Sequence, residues 1–330
     1  MTARAATIDA ASLVARFAAV SVDEFGPAAG QPLLIVEPDS ERLVGRWSPG
    51  VHPVVVVGLR EPGWDGAIDP DDPCDIVIAA DDPLLPELVD AVERQPLAAS
   101  ALAVHLRHIA PTVEQGLAAE SALYSTLQAG PEFIAWRRAR PTRPSTDEGE
   151  PVLVDRVDGR LDITLNRPRR HNALNQAVRE ALTEALALAV VDDTITQVRL
   201  RGAGPSFCSG GDLDEFGTFS DPATAHISRL TRSPAWLAHR LRDRLVVELH
   251  GACVGAGIEL PAFAGTLVAA PHTVISLPEV GVGLIPGAGG TVSIPRRIGR
   301  HRTALLALTA TRIDAATAYA WGLIDVIDDR

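Results

Sequence analysis

Two glutamates in glycine-framed segments are the residues best suited to chemistry. Glu259 closes His250-Gly251-Ala252-Cys253-Val254-Gly255-Ala256-Gly257-Ile258-Glu259. Glu279 opens Pro278-Glu279-Val280-Gly281-Val282-Gly283-Leu284-Ile285-Pro286-Gly287-Ala288-Gly289-Gly290-Thr291. Upstream lies a third glycine-rich turn, Ser206-Phe207-Cys208-Ser209-Gly210-Gly211-Asp212-Leu213. Two carboxylates can pass a proton to and from water. Turns with free backbone N–H groups can hold an oxyanion. Together they describe a site that forms an enolate. Singly each feature has a plain reading, since a glutamate in a first helical turn is favourable through the helix dipole alone. The order of the segments carries the inference.

Two further segments extend the series: Leu165-Asn166-Arg167-Pro168-Arg169-Arg170-His171-Asn172-Ala173-Leu174 and Ala320-Trp321-Gly322-Leu323-Ile324-Asp325. The five segments, in this order, resemble the enoyl-CoA hydratase/isomerase (crotonase) superfamily over about residues 152–330. The resemblance implies an α/β fold, a crotonase-type spiral of ββα repeats forming two roughly perpendicular sheets with a helical region. It implies reversible syn hydration of a 2-enoyl-CoA to a 3-hydroxyacyl-CoA. Glu279 would exchange the proton at C2, while Glu259 would orient and deprotonate water. The oxyanion donors would be the backbone N–H groups of Cys208 and Ala256. Coenzyme A contacts would come from Arg169, Arg170, His171, Ala173, Ser206, Asp212 and Leu213, with Asp212 supporting the adenine end. No metal and no redox cofactor is implied, because coenzyme A arrives as part of the substrate. A homotrimer or hexamer is the implied assembly. Members that only shift a double bond commonly keep one of the two glutamates, so the presence of both favours hydration. The alternatives are enoyl-CoA isomerisation, an acyl-CoA dehydration in secondary metabolism, or a non-catalytic acyl-CoA-binding partner subunit. Residues 216–241 should wall the acyl pocket, with Phe216, Phe219 and Trp236 making it apolar.

Bulk properties narrow the classes. The 330 residues carry 30 basic and 42 acidic side chains, a net charge of −12 that argues against nucleic-acid partners. The chain contains no lysine, so arginine supplies every strong cation. Arg167, Arg169 and Arg170 cluster in one loop and Arg296, Arg297 and Arg300 in another, and both clusters could grip phosphate. Hydrophobic residues make up 46%, enough for a real core. No apolar run approaches the roughly 18 residues of a membrane span, so no membrane is expected. The apolar stretch from Ala10 to Val22 is preceded by Asp9 and broken by Arg16, which reads as an exposed amphipathic helix or tail rather than a leader. Three scattered cysteines, Cys74, Cys208 and Cys253, suit a reducing cytoplasm.

These residues need elements to place them. Residues 141–151 read as a linker by composition. Beyond it, 152–157 and 161–165 predict a hairpin about Asp158-Gly159. Residues 175–191 predict a helix, 198–201 and 245–249 strands, 257–264 a helix start and 266–270 a strand. Strands alternating with helices indicate a sheet with right-handed crossovers. Only five residues follow Asp325, where the family continues with helices. Residues 84–140 resemble that helical tail, with Trp136 near its terminal aromatic. Cys74–Pro83 resembles Ala264–Pro271, and His52–Gly58 echoes Asp243–Leu249. The expectation is an N-terminal tail at 1–20, a reduced family-like copy with the helical tail at 21–140, and a catalytic core at 152–330. The alternative is an unrelated N-terminal α/β domain that ends in ordinary helices.

Overall fold

The structure, a computed structural model, describes residues 6–18, 24–37, 48–141, 149–218 and 221–328. Most of the expected linker and Phe219 lie outside the described residues.

The chain begins with a parallel sheet of β1 (Ala6–Ile8), β2 (Leu33–Val36), β3 (Val55–Arg60) and β4 (Ile76–Ala79), in that order. The runs Leu33–Val36 and Val54–Val57 are apolar without alternation because both faces of this sheet are covered. On one face α1 (Ala10–Ala18) inserts the fully buried Leu13 among Phe25, Val54 and Val56. The N-terminal tail expected at 1–20 is therefore corrected: β1 pairs with β2 from Ala6, and the helix is packed rather than exposed. The other face joins the main core beneath α2 (Leu84–Arg94) and α3 (Pro96–Arg107), which lead on to α4 (Val113–Gln128) and α5 (Pro131–Ala139). Proline at the first position of α3 and α5, where no N–H is needed, starts those helices. Thr112 caps α4, its hydroxyl accepting from the Gln115 N–H at 3.2 Å.

The second half opens on the expected hairpin, β5 (Val152–Val157) with β6 (Arg160–Leu165), turned by Asp158 at φ 53°. Next come α6 (Gln176–Val191), capped by Asn175, then β7 (Gln197–Gly202), α7 (Pro222–Thr231) and α8 (Pro234–Arg240). β8 (Leu245–Leu249), β9 (Ala252–Val254), α9 (Ala256–Glu259), β10 (Thr266–Ala269) and β11 (Val274–Ser276) follow. The end holds α10 (Gly290–Ser293), α11 (Pro295–Thr309), β12 (Ile313–Asp314), α12 (Ala315–Trp321) and β13 (Val326–Ile327). One sheet runs β13-β10-β8-β7-β6-β5 and is parallel except at the hairpin; the other runs β12-β11-β9. β8 and β9, like β10 and β11, are successive strands that pass from the first sheet to the second. Gly251 makes the first of these passages at φ 54°, and a Cβ there would sit 2.1 Å from the Pro205 carbonyl oxygen. The helix expected at 257–264 is only one turn, because Pro261 cannot continue it.

The two halves share one core and are tied by polar contacts. Arg300 donates to the carbonyls of Cys74, at 2.9 Å, and Asp72, while His301 lies 3.1 Å from the Asp72 carbonyl oxygen. Arg107 forms a buried ion pair with Asp75. Arg296 binds the carbonyls of Val292 and Ala110, and Arg297 those of Ala262 and Ala264 together with Asp325. The Arg296, Arg297 and Arg300 cluster, a candidate phosphate grip by sequence, thus fastens the protein to itself. Among the described residues no helix is long and apolar enough to cross a membrane.

Candidate active site

Glu259 and Glu279 are buried and converge on Gly255. A Cβ built on Gly255 would lie 2.2 Å from Oε1 of Glu279 and 3.7 Å from Oε1 of Glu259. The two oxygens are therefore no further apart than the sum of those distances. Gly255, at φ 51°, leaves the gap in which both carboxylates meet. The two side chains differ in their partners. Oε2 of Glu259 accepts from the Ala288 N–H at 2.7 Å and the Gly290 N–H at 3.0 Å. Oε2 of Glu279 is buried with no hydrogen-bond partner. Burial raises the pKa of both, and the Glu279 charge raises Glu259 further. Glu279 is pushed up to about 7. Two buried carboxyls whose charges oppose each other resist ionising together, so the pair can offer one acid and one base.

A third glutamate completes the loop that holds them. Glu120, from α4, is buried and accepts from the Gly289 N–H at 2.7 Å, the Thr291 N–H at 2.9 Å and the Thr291 hydroxyl at 2.6 Å. Alternate amides of Ala288–Thr291 are thus gripped by Glu259 and by Glu120. Burial lifts Glu120 to about 7 against those donors. Sequence reading placed Glu120 in a tail-like helix and assigned it no role. Its signal was a glutamate in an otherwise apolar helix face, which cannot be interpreted without knowing what lies opposite. Glu120→Gln should lower kcat by about 10- to 100-fold, because a small misplacement of the Glu259 loop is costly. It should also move the alkaline limb of kcat/KM to lower pH, since Glu279 must hold its proton and the Glu120 charge raises its pKa. A pH–rate profile identical to wild type would show that Glu120 does not act on the pair.

The oxyanion assignment needs a correction. The Cys208 N–H donates to the Ala252 carbonyl at 3.1 Å, and its own carbonyl accepts from Val254 at 3.0 Å. Cys208 is therefore laddered to β9 and cannot serve a substrate. Three residues on, Gly211 lines the cavity together with Ala256. The flanking Asp212 N–H donates to Leu174, so the Gly211 N–H points the other way. Among the described residues neither the Gly211 nor the Ala256 N–H meets a protein acceptor. The free pair is Gly211 with Ala256. A Cβ on Gly211 would strike the Phe216 ring at 2.5 Å, which explains the second glycine of the doublet. α9 is too short for its dipole to add much at Ala256. Burial pushes the Cys208 thiol up to about 12. Cys208→Ala should leave turnover near wild type; a large loss with the fold intact by circular dichroism would point to thiol chemistry.

The first loop is held mainly by internal bonds. Arg167 is buried and pairs with Asp212 at 3.0 Å, while Asn172 bonds the carbonyls of Ala203, Ser206 and Phe207. Asp212, expected at the adenine end of coenzyme A, is committed to Arg167 and to the Asp214 N–H, so it supports the loop from within. Ser206 is buried and bonds His171 at 3.0 Å. Ala173 gives its carbonyl to Arg167, Arg170 pairs with Asp214 at 3.5 Å, and Leu213 is half-buried. Arg169 and His171 are exposed at the surface of the loop.

The dyad, Gly211, Ala256 and Glu120 face one cavity of about 270 Å³. Phe216 lines it, but Trp236 packs on His239 instead. Ser121, Gln128, Arg179 and Arg229 make the wall from α4, α6 and α7 more polar than the expected apolar pocket.

Comparison with known proteins points to one family. The family described as enoyl-CoA hydratase/isomerase matches residues 157–330. A 2,3-dehydroadipyl-CoA hydratase of Escherichia coli (strain K12) is 32% identical over 174 residues, which cover 52% of this chain and 67% of that protein. A 1,2-epoxyphenylacetyl-CoA isomerase of the same organism is 34% identical over 184 residues, covering 54% and 70%. Among solved structures, an enoyl-CoA hydratase from Thermoplasma volcanium GSS1 superposes with a TM-score of 0.50 at 32% identity, covering 55% of this chain and 73% of that one. An enoyl-CoA hydratase/isomerase from Mycobacterium paratuberculosis gives 0.51 at 30%, covering 56% and 74%. With the family match spanning more than half of its length, the chain belongs to the enoyl-CoA hydratase/isomerase family.

Proposed function

We propose that this protein hydrates a 2-enoyl-CoA to the 3-hydroxyacyl-CoA. The observation that carries the reading is the pair of buried carboxyls, one locked by two amides and one with an unpartnered oxygen, beside two uncommitted N–H groups. The thioester oxygen lies between the Gly211 and Ala256 N–H groups. Glu259, fixed by Ala288 and Gly290, orients a water and takes its proton as the water oxygen bonds to C3. The electrons of the double bond move to the thioester oxygen, where the two donors stabilise the enolate. The enolate returns its electrons and C2 takes a proton from Glu279, which is replenished by the proton that Glu259 received. A pKa near 7 suits Glu279 to give and recover a proton at neutral pH. Coenzyme A enters with the substrate, and the chemistry uses only groups of the chain.

A cavity of about 270 Å³, just below the roughly 300–1,000 Å³ range of small-molecule sites, favours a short acyl chain. In this reading α2–α5 supply to the core what the C-terminal helices supply in relatives, since Glu120 and Tyr124 reach the cavity from α4. Loss of the enoyl absorbance of crotonyl-CoA, with 3-hydroxybutyryl-CoA identified by chromatography, tests the reaction. Conversion of a 3-enoyl-CoA to its 2-enoyl isomer without hydration would establish isomerisation instead. Binding of the ester with no turnover would make the chain an acyl-CoA-binding subunit.

A further inference from the structure

We propose that the acyl chain of the substrate ends in a carboxylate, and that Arg229, seconded by Arg179, receives it. This deepens the hydratase reading and rests on it for the position of the thioester.

Arg229 projects from α7 into the cavity and is half-buried. Its Nε donates to the Ser121 hydroxyl at 3.1 Å, and Nη2 to the Ser121 carbonyl at 3.3 Å and the Ser125 hydroxyl. Its guanidinium carbon stands 4.9 Å from the Tyr124 ring centroid. These contacts use one edge of the group and fix its plane. Nη1 makes no hydrogen bond among the described residues, and no carboxylate lies within ion-pair range of the group. A half-buried guanidinium with no carboxylate in direct contact keeps an edge open to an anion.

Arg179 lines the same cavity from α6 and, among the described residues, makes neither a hydrogen bond nor an ion pair through its side chain. Burial disfavours the charge on Arg229 and Arg179 adds to that, while Tyr124 and Glu120 offset part of it. None of the acids on the cavity wall pairs directly with either arginine among the described residues. Glu120 is bound by the loop amides and Thr291, Asp212 by Arg167, and Glu215 accepts from the Gln176 N–H at 2.7 Å. Glu259 and Glu279 turn toward each other at Gly255. An incoming carboxylate would bond the open edge of Arg229, a strong charge-assisted geometry, and would relieve the repulsion between the two arginines.

The acyl end, rather than coenzyme A, is the part of the substrate that reaches them. Tyr124 stacks against Gly287, next to Ala288 that grips Glu259, so Arg229 sits one aromatic ring from the dyad. Of the residues expected at coenzyme A, Asp212 lines this cavity but is held by Arg167, and Arg169, Arg170, His171, Ala173, Ser206 and Leu213 do not line it.

The experiment compares two saturated esters that differ only at the far end, hexanoyl-CoA and adipyl-CoA, by titration calorimetry on the full chain. Wild type should bind adipyl-CoA at least about 10-fold more tightly, the scale of one charge-assisted pair. In Arg229→Gln that ratio should collapse toward one through weaker binding of adipyl-CoA, and Arg229→Lys should restore part of it. Arg179→Gln, which leaves the Ser121 and Ser125 contacts in place, should reduce it less. Equal binding of the two esters by wild type overturns the proposal and leaves hydration standing if crotonyl-CoA is turned over. So does an Arg229→Gln variant that weakens both esters alike, the result expected of a mere staple between α4 and α7. Failure of wild type to bind either ester overturns both readings together.

Discussion

Glu279→Gln should slow hydration of the best enoyl-CoA by roughly 10²–10⁴-fold while leaving ester affinity largely intact. The amide keeps the shape of the side chain and removes the proton that C2 must receive. Glu259→Gln should fall comparably for a different reason, because its amide oxygen can still accept from Ala288 and Gly290 but the amide cannot take the proton of water. Turnover is read from the enoyl absorbance and affinity from a saturated ester. Near wild-type rates in both variants would show that the pair carries no chemistry. Stability gives an independent reading of the same burial. Glu279 has a pKa of about 7 in the fold, against about 4.3 for an unperturbed glutamate. The folded state therefore holds the proton to higher pH than the unfolded chain does. That contribution to stability is fully present below the unfolded value and is lost as pH rises through about 7. Glu279→Gln, which cannot ionise, should melt higher than wild type above that pH and level with it in acid. A variant that melts lower at every pH would mean that the carboxyl is structural.

What the sequence made legible follows how local each feature is. The hairpin about Asp158, the helix capped by Asn175 and strands β7, β8 and β10 are set by turn chemistry and by side-chain period within one segment, so their residues reveal them. Glu259 and Glu279 were legible because glycines frame them. Which amide of Phe207–Leu213 faces the cavity was not. That depends on which carbonyl of β9 lies opposite, and the ladder with Ala252 turns Cys208 inward and Gly211 outward. A shift of a few residues along a glycine turn changes the donor without changing the composition. Asp212 and the late arginines misled for a related reason. A buried charge and a ligand-binding charge look alike in sequence, and only the partners Arg167, Asp72 and Asp75 tell them apart. Glu120 and Arg229 were invisible because each acts across a gap of more than 100 residues, Glu120 on Gly289 and Thr291 and Arg229 on Ser121 and Ser125. Leu13 was read as part of an exposed helix because Asp9 and Arg16 interrupt the apolar stretch around it. Its burial depends on β1 pairing with β2, which three residues of strand do not announce.

Ala256→Pro isolates the oxyanion donor with little disturbance elsewhere. Proline removes one N–H group, and Ala256 is the first residue of α9, where proline fits and no intrahelical bond is lost. Among the described residues its N–H meets no acceptor, so Ala256→Pro removes no hydrogen bond that holds the fold. The loss should fall on the transition state, at about 10²–10³-fold in kcat with a much smaller change in the affinity of a saturated ester. The matching change at Gly211 is a poorer probe, because any side chain there meets Phe216. A melting curve superimposable on wild type separates a lost donor from a damaged fold. If Ala256→Pro keeps both its melting curve and its turnover, the enolate oxygen is held elsewhere, and Gly211 alone would not suffice to hold it. If kcat falls while the ester binds as before, the cavity is built for the charge that appears during reaction rather than for the thioester that enters.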